Sequence, residues 1–420
     1  MKNTTAVILL FLANSISGMA QGISMIAIPW YFAQQEKMAS FALVYILTNL
    51  ISLFWIPYSG AMIDRYNRRK IFLFLTTICG TIILLIGTLG IYLDGLPWQF
   101  VAAVFILTFL NYAVHYPNLY AFVQEIIEPE YYGRITSYLE IQGQLTSILA
   151  GAGAAFLLEG TTEGTFHFLG SVWEWPFTIN AWDIHEIFLL DASTYFISFL
   201  IIWFIRYESL HSRENERGGI WSELKTGYQY LRENPYLFLF GVASYTVFVT
   251  VLLQAFFLGA LYVNEHLQAS GNVYASSEIF YAVGAVFSGL AIRKIFGKVS
   301  PPLGIIIMTF ITAFLFLTLA IGKSVWLFFM MLLVLGITNA GIRILRTTYL
   351  FSIIPNQVFG RAISIFNLSN ILFRIFFLAI FSISFFQTGV GVVYTFYILG
   401  GFLFIAGAVL LWYKSRFKQL

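Results

Sequence analysis

The sequence predicts an all-α membrane protein with twelve transmembrane helices in two pseudo-symmetric six-helix bundles. Three observations predict it: twelve long apolar runs, a one-sided distribution of lysine and arginine, and a pair of loops that recurs in both halves. Hydrophobic residues make up 59% of the chain and charged residues only 10%, which is more apolar than a water-soluble core can hide.

A helix that crosses a bilayer needs about 20 mostly apolar residues. Runs of that kind lie at roughly 5–33, 39–62, 71–93, 97–124, 135–158 and 186–206, and again at roughly 236–263, 273–292, 303–322, 324–352, 360–386 and 390–413. The charged stretch between the sixth and seventh runs contains RENERGG and YLRENP. The expected organisation is therefore an N-terminal bundle over 1–206, a cytoplasmic linker over 207–235 and a C-terminal bundle over 236–420. No cleavable leader pattern stands apart from the first run, so the N-terminus reads as a retained first helix.

Basic residues test this layout independently, because cytoplasmic loops carry the excess. With both termini inside, Lys37 and Lys323 alone fall on the outer side, Arg343, Arg346 and Arg374 fall within spans, and every other lysine and arginine falls on the inner side. One helix more or fewer in either half would scramble that split. A bacterial inner membrane, or a similar one, is the expected address, with both termini cytoplasmic and the chain a monomer in the lipid bilayer.

The halves echo each other. GAMIDRYNRRK, from Gly60 to Lys70, follows the second run, and GLAIRKIFGK, from Gly289 to Lys298, follows the eighth. PEYYGRITS with Gly133 and Arg134 follows the fourth, and PNQVFGRAIS with Gly360 and Arg361 follows the tenth, at nearly the same offset. A duplicated six-helix unit is the simplest source of such a pattern.

Several function classes are disfavoured. The net charge of +3 is spread over short clusters rather than one continuous basic face, so nucleic acid is not an expected partner. The lone Cys79 excludes an intramolecular disulfide and any multi-cysteine metal site, and His167 and His185 in the long outer loop lack metal-ligand spacing. No nucleophile, metal or phosphate-binding constellation lies at a membrane face, so neither an enzyme nor a cofactor is expected. The outer loop, roughly Glu159 to His185, carries Trp173, Trp175 and Trp182, residues that favour the membrane interface, so it reads as a loop resting on the lipid headgroups, with a gate or lid as the alternative.

Polar side chains are costly in hydrocarbon and collect where they face a bundle interior or a wet cavity. The first run carries Asn14, Ser17 and Gln21; the fourth Asn111, His115 and Asn118; the seventh Thr246, Thr250 and Gln254; the tenth Asn339, Arg343 and Arg346. Each set has the three-to-four-residue spacing of one helix face. The fifth and eleventh runs carry intermediate stripes, Glu140, Gln144 and Ser147 on one, Asn367, Asn370 and Arg374 on the other. The third, ninth and twelfth contain no Asn, Gln or charged residue and read as lipid-facing supports. Asn14, Gln21, Asn111, His115, Gln254, Asn339, Arg343, Asn370 and Arg374 are thus the candidate substrate-binding residues.

The arginines are the sharpest clue, since a guanidinium stays charged wherever it sits. Counted along the helix, Arg343 lies about 16 Å and Arg374 about 21 Å from the inner end of their spans, whereas Arg346, about 12 Å deep, has a stem long enough to reach the inner interface. Arg343 and Arg374 have two readings, a substrate contact or a structural pairing with Glu140 or backbone carbonyls. In the first, an anionic or carboxylate-bearing small molecule is favoured. Candidate proton carriers are Glu140, Asp191 and His115, and for each a satisfied structural hydrogen bond is the competing reading.

The segment from Gly60 to Lys70 resembles the signature loop of the major facilitator superfamily, roughly G-x-x-x-D-R-x-G-R-[RK], at Gly60, Asp64, Arg65, Arg68 and Arg69, and departs from it at Asn67. Asn67 is expected to supply a left-handed backbone there in place of glycine. The resemblance implies two six-helix bundles and transport by alternating access. It also implies that Asp64, with Arg65, Arg68 and Arg69, latches the inner side through a charge relay. The paired GR loops and LLDASTYFIS around Asp191 resemble the macrolide-efflux branch, the third drug:proton antiporter group, which also includes siderophore exporters. That implies export of a small amphiphilic or carboxylate-bearing compound against protons. The glycine-proline motif of other antiporter groups is missing from the fifth run, and import or uniport of an organic anion is the alternative.

Overall fold

The structure is a computed structural model that describes residues 4–161, 165–168, 171–174, 178–206, 220–296 and 299–417. The helices of the first half are α1 (Thr4–Gln34), α2 (Met38–Arg65), α3 (Arg68–Tyr92), α4 (Trp98–Ile126), α5 (Tyr132–Glu159) and α6 (Ile184–Trp203). A two-stranded antiparallel hairpin, β1 (Thr165–Phe168) and β2 (Ser171–Glu174), stands between α5 and α6. The second half has α7 (Ile220–Glu233), α8 (Pro235–Ser244), α9 (Thr246–Leu253), α10 (Gly259–Leu261), α11 (Gly271–Phe296), α12 (Pro301–Ile321), α13 (Val325–Ile353), α14 (Asn356–Phe381), α15 (Gly389–Trp412) and α16 (Lys414–Phe417).

Among the described residues, twelve helical stretches are long and apolar enough to cross a membrane, one for each apolar run of the sequence. Their outward faces carry large apolar side chains such as Leu43, Phe54, Leu85, Phe314 and Ile405, as a surface in contact with lipid requires. The eleventh stretch ends at Phe381, short of its expected end. A 3₁₀ turn over Ser384–Gln387 takes over, and Gly391 sits so close to the Phe385 carbonyl that a side chain would not fit. Parts of the sequence reading fall wholly or partly outside the described residues, two of them extended. The linker over 207–219, with Arg213 and Arg217, is one, and the side chains of Trp173 and Trp175 in the outer loop are the other.

The chain divides into two compact units. One comprises Met1–Lys37, Leu50–Asn215 and Ser270–Ile279; the other comprises Met38–Asn49, Glu216–Ala269 and Phe280–Leu420. In the first unit α1 packs on α6, α5 and α4, and α3 packs on α6 and α4. Small residues let the backbones approach: a Cβ at Gly80 would lie 2.9 Å from that of Tyr195, and one at Gly90 would lie 2.3 Å from that of His185. Pro117 in α4 has no N–H to bond the Ala113 carbonyl, and the Ser59 hydroxyl of α2, whose single proton is shared with the Ile56 carbonyl (2.8 Å), lies 3.2 Å from that oxygen. Gly160 ends α5 at φ +68, and the chain beyond is tied back by Thr161 N–H to the Ile179 carbonyl (2.7 Å) and Trp182 N–H to the Leu157 carbonyl (2.8 Å).

In the second unit α12 packs on α15 and α13, and α14 packs on α9 and on α7, an amphipathic helix at the end of the charged stretch. Gly227 lets α7 reach the main chain at Arg361, where a Cβ would come within 2.5 Å of the carbonyl oxygen. The seventh span, Pro235–Leu267, is irregular. It breaks at Ser244 and Tyr245, then widens into π-helical turns at Gln254–Leu258 and Tyr262–Leu267. Its last turn is pinned by Tyr262, whose hydroxyl is 3.0 Å from both the Leu319 and Gly322 carbonyls, and by His266 Nε2, 3.1 Å from the Gly322 carbonyl.

Candidate functional site

In the first unit, the polar faces of α1 and α4 converge with one face of α6. His115 Nε2–H donates to Asn14 Oδ1 (2.8 Å). Gln21 Nε2 donates to the Tyr195 hydroxyl oxygen (2.7 Å), and Asn111 Nδ2 donates to the same oxygen (3.3 Å). With both lone pairs of that oxygen engaged, the phenolic proton needs an acceptor of its own. A cavity of about 10 Å³ adjoins it, lined by Asn14, Ser17, Asn111, His115, Tyr195 and Ser198 among apolar neighbours, and is at the lower limit for one water molecule. Sequence reasoning overlooked Tyr195, because an aromatic in an apolar run reads as packing until its hydroxyl is seen between two amides.

Asp191 lies one turn before Tyr195 and two turns inside α6, which begins at Ile184. It is 0% exposed, and neither carboxylate oxygen has a hydrogen-bond partner. Its electrostatic neighbours come from every surrounding helix: Ser24 of α1, Cys79 of α3, Tyr112 of α4 and Tyr195 of α6. The Ser24 hydroxyl is itself buried without a hydrogen-bond partner within 3.5 Å. Among the described residues no cation offsets the site, so an ionised carboxylate there would carry an uncompensated desolvation cost of several kcal/mol. Glu140, by contrast, is exposed and accepts from the Tyr120 hydroxyl (2.8 Å).

The segment between α2 and α3 is anchored within the same unit. Asn67 has φ −60 and ψ 123, so it is not left-handed as expected; it is the N-cap of α3, its Oδ1 accepting from Lys70 N–H (3.1 Å). A capping side chain satisfies an end N–H that glycine would leave bare, which is why asparagine suits the position. Arg68 Nε is 3.7 Å from Glu125 Oε1 of α4, and Asn118 Nδ2 donates to the Arg68 carbonyl (3.0 Å). Arg69 donates through Nε to the Ile202 carbonyl (3.1 Å) and through its terminal nitrogen to that of Trp203, covering the last carbonyls of α6. Gly60 and Arg65 are exposed, and the side chain of Asp64 lies outside the described residues.

In the second unit, Asn370 and Arg374 stand one turn apart on α14, 3% and 5% exposed. The Arg374 guanidinium is an electrostatic neighbour of the phenol of Tyr45, a fully buried residue of α2, whose hydroxyl reaches the Leu252 carbonyl at 3.4 Å. Two residues beyond Leu252, Gln254 is 1% exposed at the start of the first π turn, and the Tyr45 ring lies edge-on to that of Phe256 at 6.2 Å. Three buried N–H groups here have no hydrogen-bond partner: Arg374 Nε, Asn370 Nδ2 and Gln254 Nε2. One acceptor is also orphaned, Asn49 Oδ1, one turn beyond Tyr45.

The remaining candidates stand apart from this group. Asn339 Nδ2 donates to the Tyr281 hydroxyl (2.7 Å) on α11, and Arg343 is exposed. Arg346 does not snorkel to the inner interface. It is 6% exposed, donates to the Ser244 carbonyl (2.9 Å) and lies over the Tyr245 ring at 3.5 Å, because the break between α8 and α9 frees a carbonyl beside an aromatic face. Sequence reasoning also overlooked Glu278, a half-buried acid in α11 beside Tyr274, although a single carboxylate in an apolar run was signal enough. Among the described residues, no group of three His, Cys, Asp or Glu could hold a metal ion.

The family model described as Major Facilitator Superfamily matches residues 10–378. No curated protein matches the chain. Solved transporters share its fold at low identity. The POT family transporter PepTSo has a TM-score of 0.72 and 12% identity over 99% of this chain and 98% of that one. A point mutant of the nucleoside transporter NupG has 0.71 and 11% over 97% and 99%. A bacterial homologue of the iron transporter ferroportin, in an inward-facing state, has 0.70 and 16% over 98% and 99%.

Proposed function

The chain belongs to the major facilitator superfamily and is a transporter, not an enzyme; on that premise we propose that it is a proton-coupled secondary transporter that exports a small amphiphilic or carboxylate-bearing compound by alternating access. The observation that carries the coupling is Asp191, a carboxyl group at zero exposure with both oxygens unpartnered and no cation against it among the described residues. A charged group is retained inside a membrane bundle for a reason, and the default reasons are an ion path, a proton relay or a substrate. Exposed Glu140 and the His115 imidazole, which is held by Asn14, fit a carrier role less well.

In this reading the amides Gln21 and Asn111, with Tyr195, couple the protonation state of α6 to the spacing of α1 and α4. The inner-side segment with Gly60, Asp64, Arg65, Arg68 and Arg69 serves as the conformational latch. The chain works as a monomer in a bacterial inner membrane with both termini cytoplasmic. Import or uniport of an organic anion is the second reading, and the buried Arg374 favours it.

Proteoliposomes enclosing a pH-sensitive dye test the coupling. Carboxylates, siderophores and cationic drugs are added in turn, and the transported compound is expected to drive proton movement that is lost in Asp191→Asn while the compound still binds. Flux without proton movement, or flux that keeps its pH dependence in Asp191→Asn, refutes the coupling.

A further inference from the structure

We infer that the second unit contains a built subsite for the carboxylate of a small organic anion, formed by Arg374, Asn370 and Gln254 and positioned by Tyr45. The inference rests on the transporter reading and narrows its substrate to an anion. The argument begins with charge. A guanidinium cannot give up its proton to escape burial. Among the described residues Arg374 has no carboxylate partner, and its interaction is with a neutral phenol. A hydrogen bond from a charged donor is worth about 1.5–3 kcal/mol, less than the several kcal/mol that burying an unpaired ion costs. From α8 onward the sequence offers few alternatives: Glu265 is the single acid between Pro235 and Ala269, no acid follows Glu278, and Glu233 at the end of α7 is exposed. A bound anion would supply the counter-charge that Arg374 lacks among the described residues.

The second observation is the type of the orphaned atoms. Arg374 Nε, Asn370 Nδ2 and Gln254 Nε2 are all donors, all on residues at most 5% exposed. A carboxylate accepts at about four lone-pair sites and suits the planar fork of arginine, so it fits three N–H groups around one charge. The third observation is how they are held. Asn370 and Arg374 share a face of α14, which packs on α9. Tyr45 touches the Leu252 carbonyl and Phe256 and is an electrostatic neighbour of Arg374, so it ties the guanidinium to the stretch of the seventh span that contains Gln254. The π turn at Gln254–Leu258 adds a residue to the local turn and sets Gln254 off the regular helical register, a distortion that recurs at functional sites. Tyr45 is thus a positioning residue, holding the guanidinium toward α9.

The test uses the purified full-length protein in phosphatidylcholine nanodiscs, with sodium benzoate and sodium succinate as probes and choline chloride as the cationic control. Benzoate or succinate is expected to raise the melting temperature, and choline is not. In Arg374→Met the anion response is expected to vanish while the ligand-free protein melts at or above wild type, since an unpaired buried charge has been removed. Arg374→Lys, which keeps the charge but not the fork, is expected to bind about tenfold more weakly, and so is Tyr45→Phe. Three results overturn the subsite: no anion response in wild type, an equal response in Arg374→Met, or a response only when phosphatidylglycerol is added, which would assign the site to a lipid headgroup. A ligand-free Arg374→Met that melts well below wild type would make the arginine structural and overturns it too. Anion binding without flux in proteoliposomes leaves the subsite standing and counts against carboxylate transport instead.

Discussion

The cluster around Asp191 in the first unit and the cluster around Arg374 in the second bury opposite kinds of unfinished chemistry. In the first, the orphaned atoms around Asp191 are oxygens, both of its carboxylate oxygens, Oδ1 of Asn111 and the Ser24 hydroxyl, while His185 Nδ1 at the start of α6 is a nitrogen. In the second, those around α14 and α9 are mostly nitrogens, on Arg374, Asn370 and Gln254. The sequence repeat that relates Gly60 to Gly289 and Gly133 to Gly360 therefore duplicated a frame and not a site. One copy came to carry a buried acid and the other a buried base. A group that gains and loses a proton and a group that never does suit different cargoes, which is why proton coupling is assigned to the first unit and an anion to the second.

Three substitutions sharpen or break this division. The largest effect is expected from Tyr195→Phe. It removes the one oxygen that accepts from both Gln21 and Asn111, and leaving two buried donors bare costs about 1–3 kcal/mol each. Thermal unfolding should show a clear drop and coupled flux should fall with it; an unchanged melt would mean the cluster is wet and loosely held. Next is Asp64→Asn, expected to slow transport several-fold with folding intact, and unchanged flux in proteoliposomes would count against the latch. The smallest is Glu140→Gln. That carboxylate is exposed, so a pH dependence of flux within about twofold of wild type is expected, the scale of a surface interaction worth at most a few tenths of a kcal/mol. A loss matching that of Asp191→Asn would move the proton carrier to α5.

The fold was legible because the bilayer constrains it so strongly: apolar length and lysine and arginine placement each count the spans, and they agree. The site was legible in part. That Asn14 and Gln21 share one face of α1, and Asn111 and His115 one face of α4, was readable from three-to-four-residue spacing, whereas their hydrogen bonds to one another and to Tyr195 were not. Their partners were not, because Tyr195 and Tyr45 are amphipathic. In sequence they count as apolar, and only the fold shows where the hydroxyl ends. Arg343 and Arg374 look alike in sequence, yet one is exposed and the other buried, because depth along a helix is readable from residue number and facing is not. The π turns of the seventh span left no mark in the apolar pattern, which tolerates an extra residue when every side of the helix is greasy.

Those two wide turns give the seventh span a property that straight helices lack. Each stores one surplus residue, the angular equivalent of about 100° of helix. The first begins at Gln254, so the side chains beyond Leu258 face a different quarter of the bundle from the one an unbroken α-helix would give them.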